Sequence, residues 1–395
     1  MKLLILTFHY QPDFCAGSFR STALVKSLQE IIEPEDSIEV ITTLPNRYRS
    51  LKNPASKYEK QGNVIIHRIP VPDHDNGKFE RIITFGAYFI GVIRLIRSRR
   101  YDIIYASSAR LFTAFLGAII SKTKSTPLYL DIRDIFTENV RDSSGFMKSL
   151  LLPVFKLIER ITIQSATHIN LVSEGFRDAF DYYKGKTTFF TNGIDDVFLG
   201  ENYHKSNSNE PVKYKIITYA GNIGEGQGLE KIIPEAAKAL AGSYIFNIIG
   251  DGSTRNKLAR KLLDLQIDNV NLIPPVNQTE LIKHYQESDY LFLHLNEYKA
   301  FEKVLPSKIF EYGATNKTII AGVEGYAKAF IKENVENCIV FKPGEVESLV
   351  EVLQNHQPLL IERTNFMAKY SREKTIGDMA ISILNLAVSK KWDKI

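Results

Sequence analysis

The chain opens on an apolar run over residues 3–7 and then repeats one theme, a buried strand followed by a loop and a stretch with apolar residues at helical spacing. Residues 19–29 carry the first helical period. Further strands are expected at 37–43, 64–71, 102–107, 127–134 and 168–173, with 79–100 a helix and the polar stretch 45–62 a long loop. Strands that read as continuous apolar runs are covered on both faces, so this alternation predicts a parallel, doubly wound sheet. The theme restarts at 215–220. That strand runs straight into Gly221-Asn-Ile-Gly-Glu-Gly-Gln-Gly228 and a helix at 229–240. It is followed by strand 244–249, the turn Gly250-Asp-Gly252, helix 255–265, and strands at 270–273, 290–295, 318–323 and 338–341.

Length fits this double theme, because 395 residues exceed one ordinary core. We expect domains at 1–200 and 201–374, a polar linker over 203–211, and a terminal segment 375–395. The composition, 44% hydrophobic and 24% charged, is that of a folded soluble chain. Cys15 and Cys338 offer neither a disulfide framework nor metal spacing, which fits a reducing, cytoplasmic compartment. The first apolar run is too short for a signal peptide or a membrane span. A net charge of +5 does not call for nucleic acid. Arg81, Arg94, Arg97, Arg99 and Arg100 lie near the ends of the 79–100 segment, which is either a core helix with a solvated basic end or a surface touching anionic lipid heads.

The stretch 303–313 carries the strongest candidate chemistry. Pro306 suits a helix start, leaving the N–H groups of Ser307, Lys308 and Ile309 to point outward beside the Lys308 charge as an anion site for a diphosphate. Glu311 lies one turn further in, suited to ribose hydroxyls. The glycine loop 221–228 is a second phosphate cradle, although its spacing is neither the dinucleotide fingerprint nor a P-loop. Arg255 and Lys257 sit against the dipole at a helix start, which hints at a compensating anion near Gly252. Ligands of such sheets sit at the carboxyl ends of strands, where Arg133, Asp134 and Glu138 fall. Gly17 precedes the first helix, where backbone could approach a phosphate or sugar. His9, His294, Phe301, Phe310 and Tyr312 read as packing groups, and no paired-carboxylate metal motif is present.

These motifs together resemble the retaining GT-B glycosyltransferases of family 4. The resemblance rests on the Gly17 loop, Asn192-Gly-Ile-Asp195, Gly221 to Gly228, Gly250-Asp-Gly252, Pro306 to Glu311 and Gly322-Val-Glu-Gly325. The Tyr-Ala-Gly-Asn-Ile-Gly-Glu-Gly-Gln-Gly run looks most like the branch assigned to L-fucosamine transfer in bacterial O-antigen and capsule assembly. The resemblance implies two Rossmann-like domains facing across a cleft, with a UDP-sugar donor on the second and a glycan or lipid-linked acceptor on the first. It also implies final helices that cross back to the first domain, and a metal-independent, front-face transfer with no cofactor. Donor contacts would fall to Gly17, Gly221, Asn222, Gln227, Gly252, Arg255, Lys257, Lys303, Pro306, Ser307, Lys308 and Glu311, with Asp134 or Glu138 on the acceptor side and Lys308 acting on the leaving group. The chain departs from the family where Asn222 and Gln227 replace a common Arg and Lys, and where Lys303 replaces the first of two glutamates seven residues apart. A UDP-sugar 2-epimerase of the same architecture, or a non-catalytic nucleotide-sugar-binding protein, are the competing readings.

Overall fold

The computed structural model describes residues 1–13, 15–45, 55–72, 78–108, 111–138, 146–200 and 214–392. The expected linker 203–211 lies outside them. The chain forms two compact units, Met1–Asn192 with Arg372–Ile395, and Gly193–Ser371.

The first unit is built on β1 (Lys2–Leu6), α1 (Ala16–Ile31), β2 (Ser37–Thr43), β3 (Tyr58–Gln61), β4 (Val64–Ile69), α2 (Lys78–Ile96), β5 (Ile103–Ser107), α3 (Leu111–Lys124), β6 (Leu128–Ile132), α4 (Phe146–Gln164), β7 (His168–Leu171) and β8 (Lys186–Thr188). Its sheet runs β3-β4-β2-β1-β5-β6-β7-β8. All neighbours are parallel except β3 and β4. Here the structure corrects the expected loop 45–62. Residues 58–61 pair antiparallel with β4 through the two-residue turn Gly62-Asn63, with Gly62 at φ +60°. Every residue of Tyr58-Glu-Lys-Gln61 is polar or amphipathic, so this edge strand has no apolar alternation to reveal it. The ion pair from Arg68 to Glu59, 2.7 Å long, ties it down instead.

The second unit contains β9 (Lys215–Ala220), α5 (Leu229–Ala239), β10 (Tyr244–Ile249), α6 (Arg255–Asp264), β11 (Val270–Ile273), α7 (Gln278–Glu287), β12 (Tyr290–His294), α8 (Lys308–Gly313), β13 (Thr318–Gly322), α9 (Gly325–Asn334), β14 (Cys338–Phe341), α10 (Val346–Asn355) and α11 (Thr364–Tyr370). Its sheet runs β11-β10-β9-β12-β13-β14, with every pair parallel. Ile217, Phe246, Phe292 and Ile320 pack on one face with Ile232, Leu258 and Leu353. Leu291, Leu293, Ile319 and Ala321 pack on the other with Ile309, Phe310 and Phe330. Both faces are thus covered, as continuous apolar strands require.

The last helix, α12 (Arg372–Trp392), belongs to the first unit, where Ile376, Met379, Ala380 and Ile383 are buried with Leu24 and Leu28 of α1. Between these helices and the sheet lies a buried ion pair. Arg20 donates from Nε and Nη2 to both carboxylate oxygens of Asp131, at 2.8 and 2.9 Å. Tyr105 and Asn170 donate to the same carboxylate at 2.9 and 2.8 Å. The rest of the guanidinium reaches the carbonyls of Phe190 and Thr191, the last turns of chain before it leaves the unit. Burial raises the carboxyl of Asp131, but Arg20 outweighs it and leaves the group below the usual carboxylate range. The stability from this pair is therefore full above the unfolded carboxylate value and lost as pH falls through the depressed folded value. Removing one partner strands a buried charge. Arg20→Ala should lower unfolding stability by about 3–5 kcal/mol, read from urea midpoints, and a loss under about 1 kcal/mol would show that the pair holds nothing.

Candidate functional site

In the second unit the sheet order reverses between β9 and β12, and the loops after those two strands interlock. Gly221 continues the ladder through its N–H to the carbonyl of Ile249, 2.9 Å away. Gly250 stands at φ +141°, and a Cβ there would lie 1.9 Å from the carbonyl oxygen of Gly221. Gly252 stands at φ +158°, where a Cβ would lie 2.4 Å from the carbonyl oxygen of Ile223 and 2.9 Å from Asn222 Oδ1. The two turns therefore meet backbone to backbone, which only glycine permits. Ile223 donates to Asp251, and both the N–H and hydroxyl of Thr254 donate back to Ile223.

The loop is braced from β12 as well. Asn296 donates its N–H to Gly226 and its amide nitrogen to Glu225, each at 2.8 Å, and accepts from Lys231 at 2.9 Å. His294 lies between the Gln227 carbonyl at Nδ1 (2.6 Å) and the Gly344 N–H at Nε2 (3.0 Å). That pattern assigns the Nδ1–H tautomer, and burial holds the ring's pKa down to about 4. His294 is a neutral structural brace. Asn222 donates to the Oε1 of Gln227 at 2.8 Å, so the two side chains satisfy each other across Gly224.

Lys308 opens α8 beside this loop: a Cβ on Gly221 would lie 3.5 Å from its Cε. Its ammonium meets Glu311 Oε2 at 2.6 Å, and Tyr285 donates to the same oxygen at 3.2 Å. Both members of the pair are about one-fifth exposed. The helix start is tighter than expected. Ile309 gives its N–H to Pro306 and Phe310 gives its own to Ser307, so Ile309 is not an outward donor. Tyr312 is buried and accepts from the N–H of Ala220, and Phe310 is buried in the core.

The remaining donor candidates lie on other elements. Lys257 reaches the buried carboxylate of Glu230 at 3.3 Å, and Arg255 donates to the Leu272 carbonyl at 3.3 Å. A carboxylate thus lies beside the Lys257 charge, whereas the guanidinium of Arg255 meets a neutral carbonyl. Lys303 ends a 3-10 turn, Lys299–Lys303, after β12. Gly17 is the second residue of α1 and not part of a loop ahead of it.

In the first unit, Arg133 and Asp134 follow β6, next to the carboxyl end of β5. The N–H of Arg133 donates to Ser108 Oγ at 2.9 Å. Asp134 keeps solvent access, yet the surrounding protein pushes its carboxyl up to about 6, against the lowering effect of Arg133. Glu138 is half-buried in the short helical stretch 136–138 that follows. Sequence reasoning passed over Arg20 and Asp131. Their signal was an acid in the apolar run Leu-Tyr-Leu-Asp-Ile and an arginine on the apolar side of α1. Among the described residues, no group of three or more His, Cys, Asp or Glu is placed to hold a metal ion, and no helix is long and apolar enough to cross a membrane.

Two doubly wound units of this kind make up the GT-B fold, and solved structures bear this out. The sucrose-phosphate synthase of Thermosynechococcus elongatus superposes with a TM-score of 0.68 at 12% identity, covering 99% of this chain and 97% of that one. HepE of Anabaena, solved in complex with UDP, gives 0.58 at 14% identity with 100% of each chain covered. Residues 201–365, most of the second unit, match the family model of glycosyl transferases group 1. The chain is also 30% identical over 168 residues to WcaI of Escherichia coli (strain K12), named as a colanic acid biosynthesis glycosyl transferase. That match spans 42% of this chain and 40% of WcaI.

Proposed function

We propose that the protein is a retaining, metal-independent glycosyltransferase of family 4. In this reading it moves a sugar, an N-acetylated amino sugar such as FucNAc or GlcNAc, from a UDP-sugar to a glycan or polyprenyl-diphosphate-linked acceptor in bacterial surface polysaccharide synthesis. One observation carries the reading. In the unit that matches group 1 transferases, the glycine loop at the sheet's reversal point packs backbone to backbone on the Gly250–Gly252 turn, and Lys308 lies beside Gly221 with its ammonium held by Glu311. The same match weighs transfer above epimerisation or mere binding.

The chemistry asked of such a site is electrostatic. The anomeric C–O bond to the diphosphate breaks, a bond to the acceptor hydroxyl forms on the same face, and the acceptor's proton passes to the leaving phosphate. Lys308 stabilises the charge that grows on that phosphate. It would exchange Glu311 for a phosphate oxygen, which leaves the carboxylate, still hydrogen-bonded by Tyr285, free to accept a ribose hydroxyl. Asn222 and Gln227 stand where the family commonly carries cations, and both are uncharged amides that hydrogen-bond to each other. The burden on Lys308 is correspondingly larger. Asp134 orients the acceptor or handles its proton, with Glu138 the alternative.

The acceptor reading extends to the membrane. On α4, Val154, Leu157 and Ile161 are exposed at helical spacing with exposed Lys156 and Arg160 among them. Arg94, Arg97 and Arg100 are exposed at the end of α2, whereas Arg99 pairs with the buried Glu39. Such a basic and apolar surface suits peripheral contact with the anionic cytoplasmic face of the inner membrane.

Lys308→Ala should lower kcat/KM for the UDP-sugar at least tenfold, roughly 1.4 kcal/mol of transition-state stabilisation, in a transfer assay; unchanged kinetics would remove Lys308 from the reaction. In the same assay the wild-type rate should fall as pH drops through about 6 if the Asp134 carboxylate is the working form, and Asp134→Asn should abolish that limb. Co-sedimentation with vesicles of phosphatidylglycerol should retain the protein and weaken with salt, while full recovery in the supernatant would refute membrane contact.

A further inference from the structure

The proposed reading leaves open what part of the acceptor the first unit recognises, and Arg133 supplies an answer. The buried charge of its neighbour on β6, Asp131, is already matched. That carboxylate takes two bonds from Arg20 and one each from Tyr105 and Asn170, so none of it is left for a second guanidinium. Arg133 follows the strand's last residue, where the backbone is fixed by the bond from its N–H to Ser108. Its side chain is half-buried. Nη1 is shielded from solvent and has no hydrogen-bond partner among the described residues. Nη2 has only a long contact, 3.5 Å, with the side-chain oxygen of Asn192. Asp134, the next residue, feels the Arg133 charge but no hydrogen bond joins the two.

A shielded, unpaired guanidinium nitrogen is costly in a protein by itself, because it has given up water and gained nothing. Nature's usual partner for a planar fork of donors is a planar or tetrahedral oxyanion, bound by two parallel bonds. The position is also the one where ligands of doubly wound sheets sit, at the carboxyl end of a central strand and beside the strand pair β1 and β5 where the order reverses.

We propose that Arg133 is the residue that selects an anionic acceptor, binding an oxyanion close to the hydroxyl that receives the sugar. The proposal rests on the glycosyltransferase reading for the word acceptor, but not for the anion site itself. The oxyanion comes from one of two sources, the diphosphate of a lipid-linked acceptor or the carboxylate of an acidic sugar, and the two are separable by probe.

The test uses the full chain saturated with UDP, so that a donor site is already filled, and titrates in inorganic pyrophosphate or methyl glucuronide by calorimetry. Wild type should bind one of these probes at one site. Arg133→Ala should weaken that probe at least tenfold while UDP affinity stays unchanged, and Arg133→Lys, which keeps the charge but loses the fork, should fall between the two. Arg133→Gln carries the comparison if the alanine variant loses its melting transition. Binding of pyrophosphate identifies a phosphate-bearing acceptor, and binding of the glucuronide an acidic sugar. The proposal is overturned if neither probe binds wild type, if the variants bind as well as wild type, or if Arg133→Ala weakens UDP instead, which would give the guanidinium to the donor. A failure of the transferase reading looks different: wild type would not bind UDP, and the probe titration would still report on Arg133 without it.

Discussion

The Arg20–Asp131 pair is the constraint on which the first unit depends. A carboxylate in the middle of a sheet covered on both faces is stable only if its charge is met on the spot, and it takes four hydrogen bonds to meet it here. The same guanidinium holds the carbonyls of Phe190 and Thr191 and touches the sulfur of Met379, so one side chain fixes β6, the segment leaving the unit and the returning helix α12. The consequence for function lies at the end of the strand. The hydrogen-bonding capacity of Asp131 is taken up by these four bonds, so Arg133 acts on it only through its charge.

The second unit solves a different problem. Its loops must approach each other closely, and they do so by removing side chains at Gly250 and Gly252 and by bracing the outer loop with Asn296 and His294. Rigid backbone of this kind can present N–H groups to a phosphate without reorganising when the substrate arrives. The Lys308–Glu311 pair is partly exposed, and its worth as an ion pair is small. Its significance is positional, because it holds the ammonium of Lys308 over its own helix while the side chain's Cε passes beside Gly221.

Much of this was legible in the sequence, and the exceptions have physical causes. The span from β9 through the glycine loop to α5 announces itself because continuous apolar strands, glycines and helical periodicity are separate signals that agree there. The edge strands Tyr58–Gln61 and Lys186–Thr188 are polar and short, so periodicity cannot find them. Gly17 reads as a loop residue by type, yet the first turn of a helix tolerates it. Arg255 and Lys257 looked unbalanced against the helix dipole because their partners, the Leu272 carbonyl and Glu230, come from distant parts of the chain. The same limitation hid Arg20 and Asp131, which lie 111 residues apart. Charges inside apolar patterns are the trace such pairs leave in sequence, but the pattern does not say which charge meets which.

The proposed transfer requires that the second unit hold a UDP-sugar at the glycine loop and Lys308. Its most direct test is the melting temperature of the full chain with a panel of UDP-sugars at concentrations well above micromolar affinity. The account predicts that UDP and at least one UDP-linked N-acetylated amino sugar raise the melting temperature by several degrees, and that the corresponding free sugars do not. A panel in which no uridine nucleotide shifts the transition would contradict it.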